Sequence, residues 1–175
     1  ETFGPTDLNA KLDNSRFAMN VPKGIQPRDM RVSGQEGSMA PAFSVDQLGG
    51  GKVTLDSLKG QIVLLDFWAT WCGPCRKGLP DTLEFQKAYA DQGLRVVAIT
   101  DETEPEVRVF LKEMNLEGLN VAFDADKSAS KAYKIGSLPT MILIDRSGKI
   151  AVRFDGLPPK SEILKGLQRA GIDVK

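Results

Sequence analysis

Three nearly continuous apolar runs predict the central strands of a sheet. They span residues 62–67, 94–99 and 141–144 and are rich in Val, Ile and Leu. Runs of this kind are typical of strands that are covered on both faces. A polar turn at 145–148 follows the third run and leads into a segment at 150–155 in which apolar and polar residues alternate. We therefore expect an antiparallel pair here, with the second strand exposing one face to water.

Segments with a helical spacing of apolar residues lie between and after these strands. In 107–114 the apolar residues fall at i, i+3, i+4 and i+7, and Thr103 with Glu106 ahead of them has the spacing of a capping box. Broader apolar stripes in 75–92 and 161–170 predict two further helices.

Shorter features complete the order of elements. Segments 43–45 and 52–55 flank the glycines at 49–51 and predict a hairpin ahead of the central strands. A short strand near 121–123 and a short helix near 127–133 precede the last hairpin. This order predicts an α/β fold with a mixed central sheet, helices on both faces and an added N-terminal hairpin.

The N-terminal part of the chain differs from the rest. Residues 1–40 contain three prolines, several glycines and isolated apolar residues, and predict an extended arm or linker with one ordered piece near 17–21. A docking arm for a partner is the alternative. Residues 41–175 are expected to form the domain. The chain starts at Glu1 rather than at Met, so removal of a signal peptide or membrane anchor is compatible with the sequence.

The composition excludes several kinds of partner, metal site and catalytic mechanism. Lys plus Arg equals Asp plus Glu at 23 each, so the net charge is zero and no nucleic-acid partner is indicated. The absence of His excludes His-ligated zinc and both Ser–His and Cys–His catalysis. The only cysteines are Cys72 and Cys75, which cannot complete a four-cysteine zinc site. We therefore expect no metal and no cofactor.

The two cysteines lie where the first central strand meets the first long helix, in the segment Trp71-Cys72-Gly73-Pro74-Cys75. At a helix N-terminus, Cys72 would face unpaired N–H groups and the positive end of the helix dipole, which favour a thiolate. Cys75 would lie one turn further in and be less exposed. Two incidental core thiols are the alternative reading of this pair.

With this motif in view, residues 41–172 resemble the TlpA/ResA-like thiol–disulfide oxidoreductases of the thioredoxin superfamily. The resemblance rests on residues 71–75, on Pro80 five residues after the second cysteine, and on Ser137-Leu138-Pro139-Thr140 before a strand. The leading hairpin and the charged stretch 101–106 fit the same subfamily.

The resemblance implies a division of roles within the site. Cys72 would attack a disulfide and Cys75 would resolve the mixed disulfide that forms. Pro139 matches the cis-proline that shapes the peptide-binding groove, and Trp71 would border the site, whereas Trp68 would pack in the core. The residues expected to bind substrate are Trp71, Gly73, Pro74, Leu138 and Pro139.

Asp66 matches the buried acid that removes the proton from the second cysteine. An Asp within the apolar run 62–67 should have a raised pKa because it is desolvated; a surface Asp on a wet strand face is the alternative. Two departures from the family pattern bear on this role. Gly78 stands where related proteins often have Glu, and Arg95 is the only cation in the strand where thioredoxin has a Lys near its acid.

The expected activity is the reduction of protein disulfides, and three alternatives remain. An oxidant or isomerase of extracytoplasmic proteins would use the same residues at a different reduction potential. A peroxidase is disfavoured because Thr70 is two residues before Cys72 rather than three, and a non-catalytic interaction module is disfavoured by the intact cysteine pair. The resemblance further implies protein disulfide or dithiol substrates, an upstream electron donor, an extracytoplasmic location, a membrane tether beyond the sequence and a monomer.

Overall fold

The computed structural model describes residues 35–174, which form a seven-stranded sheet flanked by four α-helices. The strands are β1 (Ser44–Gln47), β2 (Lys52–Thr54), β3 (Ile62–Phe67), β4 (Leu94–Thr100), β5 (Val121–Phe123), β6 (Thr140–Ile144) and β7 (Ile150–Asp155). The helices are α1 (Gly73–Ala88), α2 (Glu104–Glu113), α3 (Ser128–Ala132) and α4 (Lys160–Ala170).

The sheet is mixed, as the order of elements predicted. Its strand order is β2-β1-β5-β4-β3-β6-β7. Strand β4 runs parallel to β3 and β5, whereas β6 is antiparallel to both β3 and β7. The β1–β2 hairpin extends the sheet beyond β5. These pairings confirm the thioredoxin-like α/β fold with an added N-terminal hairpin.

Side chains of β3 alternate between two hydrophobic layers, which explains why its sequence is continuously apolar. Ile62 and Leu64 join the layer formed with α1, α2 and α4, and Val63 and Leu65 join the layer that contains α3. The same alternation places Asp66 on the α1 side of the sheet. Helices therefore cover both faces, as predicted.

Helix α1 begins at the cysteine motif and ends earlier than the apolar stripe suggested. Cys72 is its N-cap residue and Pro74 lies in the first turn, where a missing N–H is tolerated. The helix ends at Ala88, and a short 3₁₀ helix, Ala90–Gln92, follows it. Gly93 has a φ of 83° and completes the turn into β4, a conformation that glycine adopts without strain.

Strand β7 confirms the predicted wet face only in part, because Ala151 and Asp155 are partly exposed whereas Arg153 is buried. Arg153, in an alternating segment, was expected to reach water, but only 4% of its surface is exposed. The physical reason is that α3 and the turn at residues 35–36 cover this side of the strand, and they supply acceptors for the Arg153 guanidinium. The alternating pattern therefore identified the two faces of β7 and the more exposed of them, but not the burial of Arg153.

Residues 37–40 are attached to the sheet. The Gly37 N–H donates to the Ile150 carbonyl, and the Ala40 N–H donates to the Gly148 carbonyl. The domain boundary at residue 40 stays a prediction, and the predicted ordered piece at 17–21 lies outside the described residues. Among residues 35–174, no helix is both long and apolar enough to cross a membrane.

Candidate active site

A disulfide joins Cys72 and Cys75 at the start of α1. Their Cα atoms are 5.2 Å apart, and the Cys75 N–H donates a hydrogen bond of 3.2 Å to the Cys72 sulfur. The sulfur of the N-cap residue thus occupies the position that a capping side-chain oxygen takes in other helices. Both residues are buried in this oxidised state, 4% exposed for Cys72 and 2% for Cys75. Position on the helix, rather than exposure, distinguishes the two thiols.

Trp71 and the loop before β6 form the surface around the disulfide. Trp71 is 73% exposed, which is unusual for an indole ring and places it beside the site rather than in the core. The Leu138–Pro139 peptide bond is cis, as the resemblance implied. The Gly156 N–H donates to the Pro139 carbonyl at 2.8 Å and thereby connects this loop to the end of β7. Trp68, in contrast, is buried and packs against Phe110.

A cleft of about 310 Å³ opens next to this surface. Trp71 and Leu138 line it on the side of the disulfide, and Ile135 adds a further apolar wall. At its other side the Lys127 ammonium and the Asp101 carboxylate form an ion pair of 2.8 Å. An apolar cleft with a few polar groups at its edge is suited to a side chain or short peptide segment.

Asp66 is buried beneath α1, with 2% of its surface exposed. Its Oδ2 accepts a hydrogen bond of 2.8 Å from the Thr82 hydroxyl, whereas Oδ1 has no hydrogen-bond partner among the described residues. Burial raises the pKa of Asp66 from 3.8 to about 6, and the Thr82 hydrogen bond offsets part of that rise. The predicted desolvated carboxyl group is therefore present, and its pKa is close to neutral pH.

The two departures from the family pattern, Arg95 and Gly78, do not give Asp66 a charged partner. Arg95 donates to the carbonyls of Ala90 and Leu94, away from the acid. Gly78 contributes no side chain, and a Cβ atom there would lie 2.7 Å from a terminal methyl group of Leu157. Leu157 therefore covers the space that a longer side chain at position 78 would need.

Two polar residues of the site were missed in the sequence. Thr82 lies on the inner face of α1, seven residues after Cys75, and a polar residue among apolar helix positions was a signal that could have identified it. Glu102 accepts hydrogen bonds from the N–H of Thr70 at 2.7 Å and from its hydroxyl at 2.6 Å. The two residues are 32 positions apart, so no local pattern predicts this contact.

No group of His, Cys, Asp and Glu side chains suited to a metal ion occurs in the part of the chain that the structure describes.

Comparison with known proteins points to the same chemistry. The model of the AhpC/TSA family matches residues 37–153. A thiol-disulfide oxidoreductase ResA of Bacillus cereus is 39% identical over 136 residues, which cover 77% of this chain and 78% of that protein.

Two solved structures share the fold at moderate sequence identity. A thiol:disulfide interchange protein of the thioredoxin family from Chlorobium tepidum TLS has a TM-score of 0.67 and 28% identity, covering 79% of this chain and 99% of that one. The pneumococcal exposed lipoprotein thioredoxin of Streptococcus pneumoniae has a TM-score of 0.65 and 29% identity, covering 73% and 98%. The chain therefore belongs to the AhpC/TSA family, among the thiol–disulfide oxidoreductases of the ResA kind.

Proposed function

We propose that this oxidoreductase reduces disulfides in other proteins, with Cys72 as the attacking thiol and Cys75 as the resolving thiol. The observation that carries the proposal is the hydrogen bond from the Cys75 N–H to the Cys72 sulfur at the N-terminus of α1. In the reduced protein, this N–H and the positive end of the helix dipole favour the thiolate form of Cys72. Cys75, inside the helix, has no comparable position.

The reaction transfers two electrons in two steps. The Cys72 thiolate attacks one sulfur of the substrate disulfide, forms a mixed disulfide, and releases the other substrate sulfur as a thiolate that takes up a proton. Cys75 then loses its proton and attacks the Cys72 sulfur. This step breaks the mixed disulfide, frees the second substrate thiol and leaves the Cys72–Cys75 disulfide seen in the structure. An upstream dithiol donor must then reduce the enzyme again.

Asp66 is the proposed acceptor for the Cys75 proton. Thr82, which holds Asp66 Oδ2, is seven residues beyond Cys75, so the two lie about 10 Å apart along the helix axis. Oδ1 has no hydrogen-bond partner among the described residues, so it is the oxygen we propose to accept the proton, directly or through one water molecule. A carboxyl group with a pKa of about 6 can accept a proton and release it again near neutral pH.

The surroundings of Thr70 argue against the peroxidatic alternative. Its hydroxyl donates to Glu102 at 2.6 Å and is therefore committed to that carboxylate rather than to the Cys72 sulfur. A threonine hydroxyl placed on the sulfur is what a peroxide-binding site of this fold would need. The same bond instead fixes the backbone just ahead of Trp71.

The substrates are proteins that carry an accessible disulfide. The exposed Trp71 and the neighbouring cleft with Leu138 offer apolar contacts to a polypeptide, and Gly73, Pro74 and Pro139 complete the surface against which its backbone would lie. We place the reaction outside the cytoplasm on a protein that acts as a monomer. Support for the location comes from the similar pneumococcal protein, whose name describes an exposed lipoprotein.

Insulin reduction with two cysteine variants tests these assignments. Cys72→Ala should abolish turnover, whereas Cys75→Ser should accumulate a mixed disulfide on Cys72 that mass spectrometry can locate. A mixed disulfide on Cys75 in the corresponding Cys72→Ser variant would reverse the two roles. A reduction potential of about −270 mV supports a reductant, and a value of about −120 mV would assign the protein to the oxidants.

A further inference from the structure

Arg153 is a buried cation that none of the steps above uses. It lies in β7 on the face opposite to α1, and 4% of its surface is exposed. A buried guanidinium requires acceptors for its N–H groups, because an unpaired buried charge is strongly unfavourable. The identity of those acceptors shows what the residue holds in place.

All five N–H donors of the guanidinium are engaged. Nε donates to the Asp155 carboxylate at 3.0 Å, and one Nη2 hydrogen bond reaches the same carboxylate at 2.8 Å. The other donors bind the carbonyl of Tyr133 at 2.6 Å, the carbonyl of Lys134 at 3.2 Å and the side chain of Gln35 at 3.0 Å. A lysine, with three donors on one nitrogen, could not make this set of contacts.

These contacts reach both ends of the loop that carries the cis-proline. At its start, Tyr133 and Lys134 directly follow α3, and Lys134 has a φ of 51°, a strained backbone conformation for a residue other than glycine. At its end, Asp155 is the β-sheet partner of Thr140, whose hydroxyl lies 3.3 Å from the Asp155 carboxylate. A single guanidinium thus spans the two anchor points of residues 134–140.

We propose that Arg153 is a positioning residue for the substrate-binding loop. By fixing the carbonyls before the loop and the carboxylate after it, Arg153 sets where Leu138 and Pro139 stand relative to the disulfide. The chemistry of the cysteine pair lies on the α1 side of the sheet and does not depend on this contact. Loss of Arg153 therefore weakens productive binding of a protein substrate while it leaves the reactivity of Cys72 unchanged. This inference rests on the proposed function, because it concerns how a protein disulfide is presented to Cys72.

The test compares Arg153→Lys and Arg153→Met with two matched controls. Gln35→Ala removes one Arg153 hydrogen bond that does not involve the loop. Leu167→Ala destabilises the fully buried packing of α4 on the other face of the sheet. For each reduced variant, kcat and KM are measured with insulin, and the second-order rate is measured with a small aromatic disulfide that needs no groove.

We expect both Arg153 variants to lower kcat/KM for insulin by about tenfold to a hundredfold, mainly through KM, with the rate on the small disulfide within about twofold of wild type. Gln35→Ala and Leu167→Ala should leave KM unchanged. An unchanged KM in Arg153→Lys, or an equal rise in KM in Leu167→Ala, would overturn the inference. If the wild-type protein itself fails to reduce insulin, the proposed function fails instead.

Amide hydrogen exchange of the oxidised proteins tests the proposal without an activity assay. It needs only Arg153→Lys, so it can be done even if Arg153→Met does not fold. Amides in residues 134–140 should exchange faster in Arg153→Lys than in wild type, while amides of α1 keep their rates. Unchanged exchange in this segment would contradict the proposal, because a loop that has lost its anchor must open more often.

Discussion

Replacement of Asp66 by Asn should make the oxidised protein more stable at neutral pH. A pKa that rises from 3.8 to about 6 on folding means that the folded state binds the Asp66 proton more tightly than the unfolded state. The free energy of unfolding therefore falls as the pH rises from about 4 to about 6 and stays lowered above that range. At about 1.36 kcal/mol for each pH unit, ionised Asp66 lowers the stability by about 3 kcal/mol.

Asn has nearly the same shape as Asp but cannot ionise, so the variant escapes this loss. We expect the difference in unfolding free energy between Asp66→Asn and wild type to be about 2.5 kcal/mol larger at about pH 8 than at about pH 4, where unfolded Asp is already partly ionised. Urea denaturation at several pH values measures it, and the carboxyl groups common to both proteins cancel in the difference. Use of the oxidised form removes the cysteines from the titration, because disulfide sulfurs do not ionise.

Thr82→Val is a companion variant whose stability should depend on pH in a different way. This substitution removes the hydroxyl that binds the ionised carboxylate at 2.8 Å, so the pKa of Asp66 in the folded protein should rise further. The pH range over which stability is lost should therefore extend to higher pH, while its lower end stays at the pKa of the unfolded chain. Well above that range, where Asp66 is ionised, this variant should be less stable than wild type by about 1.5–3 kcal/mol. A stability difference for Asp66→Asn that is the same at acidic and at alkaline pH would refute the reasoning about burial.

The kinetic consequence is separate from the thermodynamic one. If Asp66 accepts the Cys75 proton, Asp66→Asn should slow the decay of the mixed disulfide in single-turnover experiments by about 10²–10⁴, or by less where water replaces the base. Identical dependence of the decay rate on pH in both proteins would make Asp66 a structural residue.

Three further substitutions have expected outcomes that follow from the surroundings of each residue. Gly166→Ala should destabilise the protein by about 1–3 kcal/mol. The added Cβ would lie 2.8 Å from a methyl group of Leu143 and 3.3 Å from the ring of Phe154, both of which are buried. Gly78→Ala should be neutral or stabilising by up to about 1 kcal/mol, since only the flexible end of half-exposed Leu157 has to move and alanine favours the helix. The thermal unfolding midpoints of the two glycine variants measure both changes in stability. Trp71→Ala should leave the free energy of unfolding within about 0.5 kcal/mol of wild type while KM for insulin rises, which urea titration and steady-state kinetics check.

The sequence predicted the elements whose signal is local. Continuous apolar runs identified β3 and β4 because both faces of these strands are covered. The spacing of Thr103 and Glu106 identified the start of α2, where the Glu106 carboxylate accepts hydrogen bonds from the Thr103 N–H and hydroxyl. The cysteine motif likewise marked the start of α1, because proline and an N-cap residue are local requirements of a helix terminus.

The contacts that the sequence did not predict join residues that are distant along the chain. Arg153 finds acceptors 118 positions away in Gln35 and 20 and 19 positions away in Tyr133 and Lys134, and none of these distances has a periodic signature. A polar residue at an alternating strand position has the same appearance whether water or a buried set of carbonyls lies above it. The period of two defines the faces of a strand, and tertiary packing decides which face is dry.

The alternation of side chains across the sheet has a consequence for how such an enzyme can diversify. Asp66 and the first turns of α1 lie on one face, while Arg153 and the anchors of the 134–140 loop lie on the other. Substitutions on the second face can therefore retarget the enzyme to new client proteins without disturbing its proton transfer or its redox couple. A change in the position of this loop can thus alter how a protein substrate fits while Cys72, Cys75 and Asp66 stay the same.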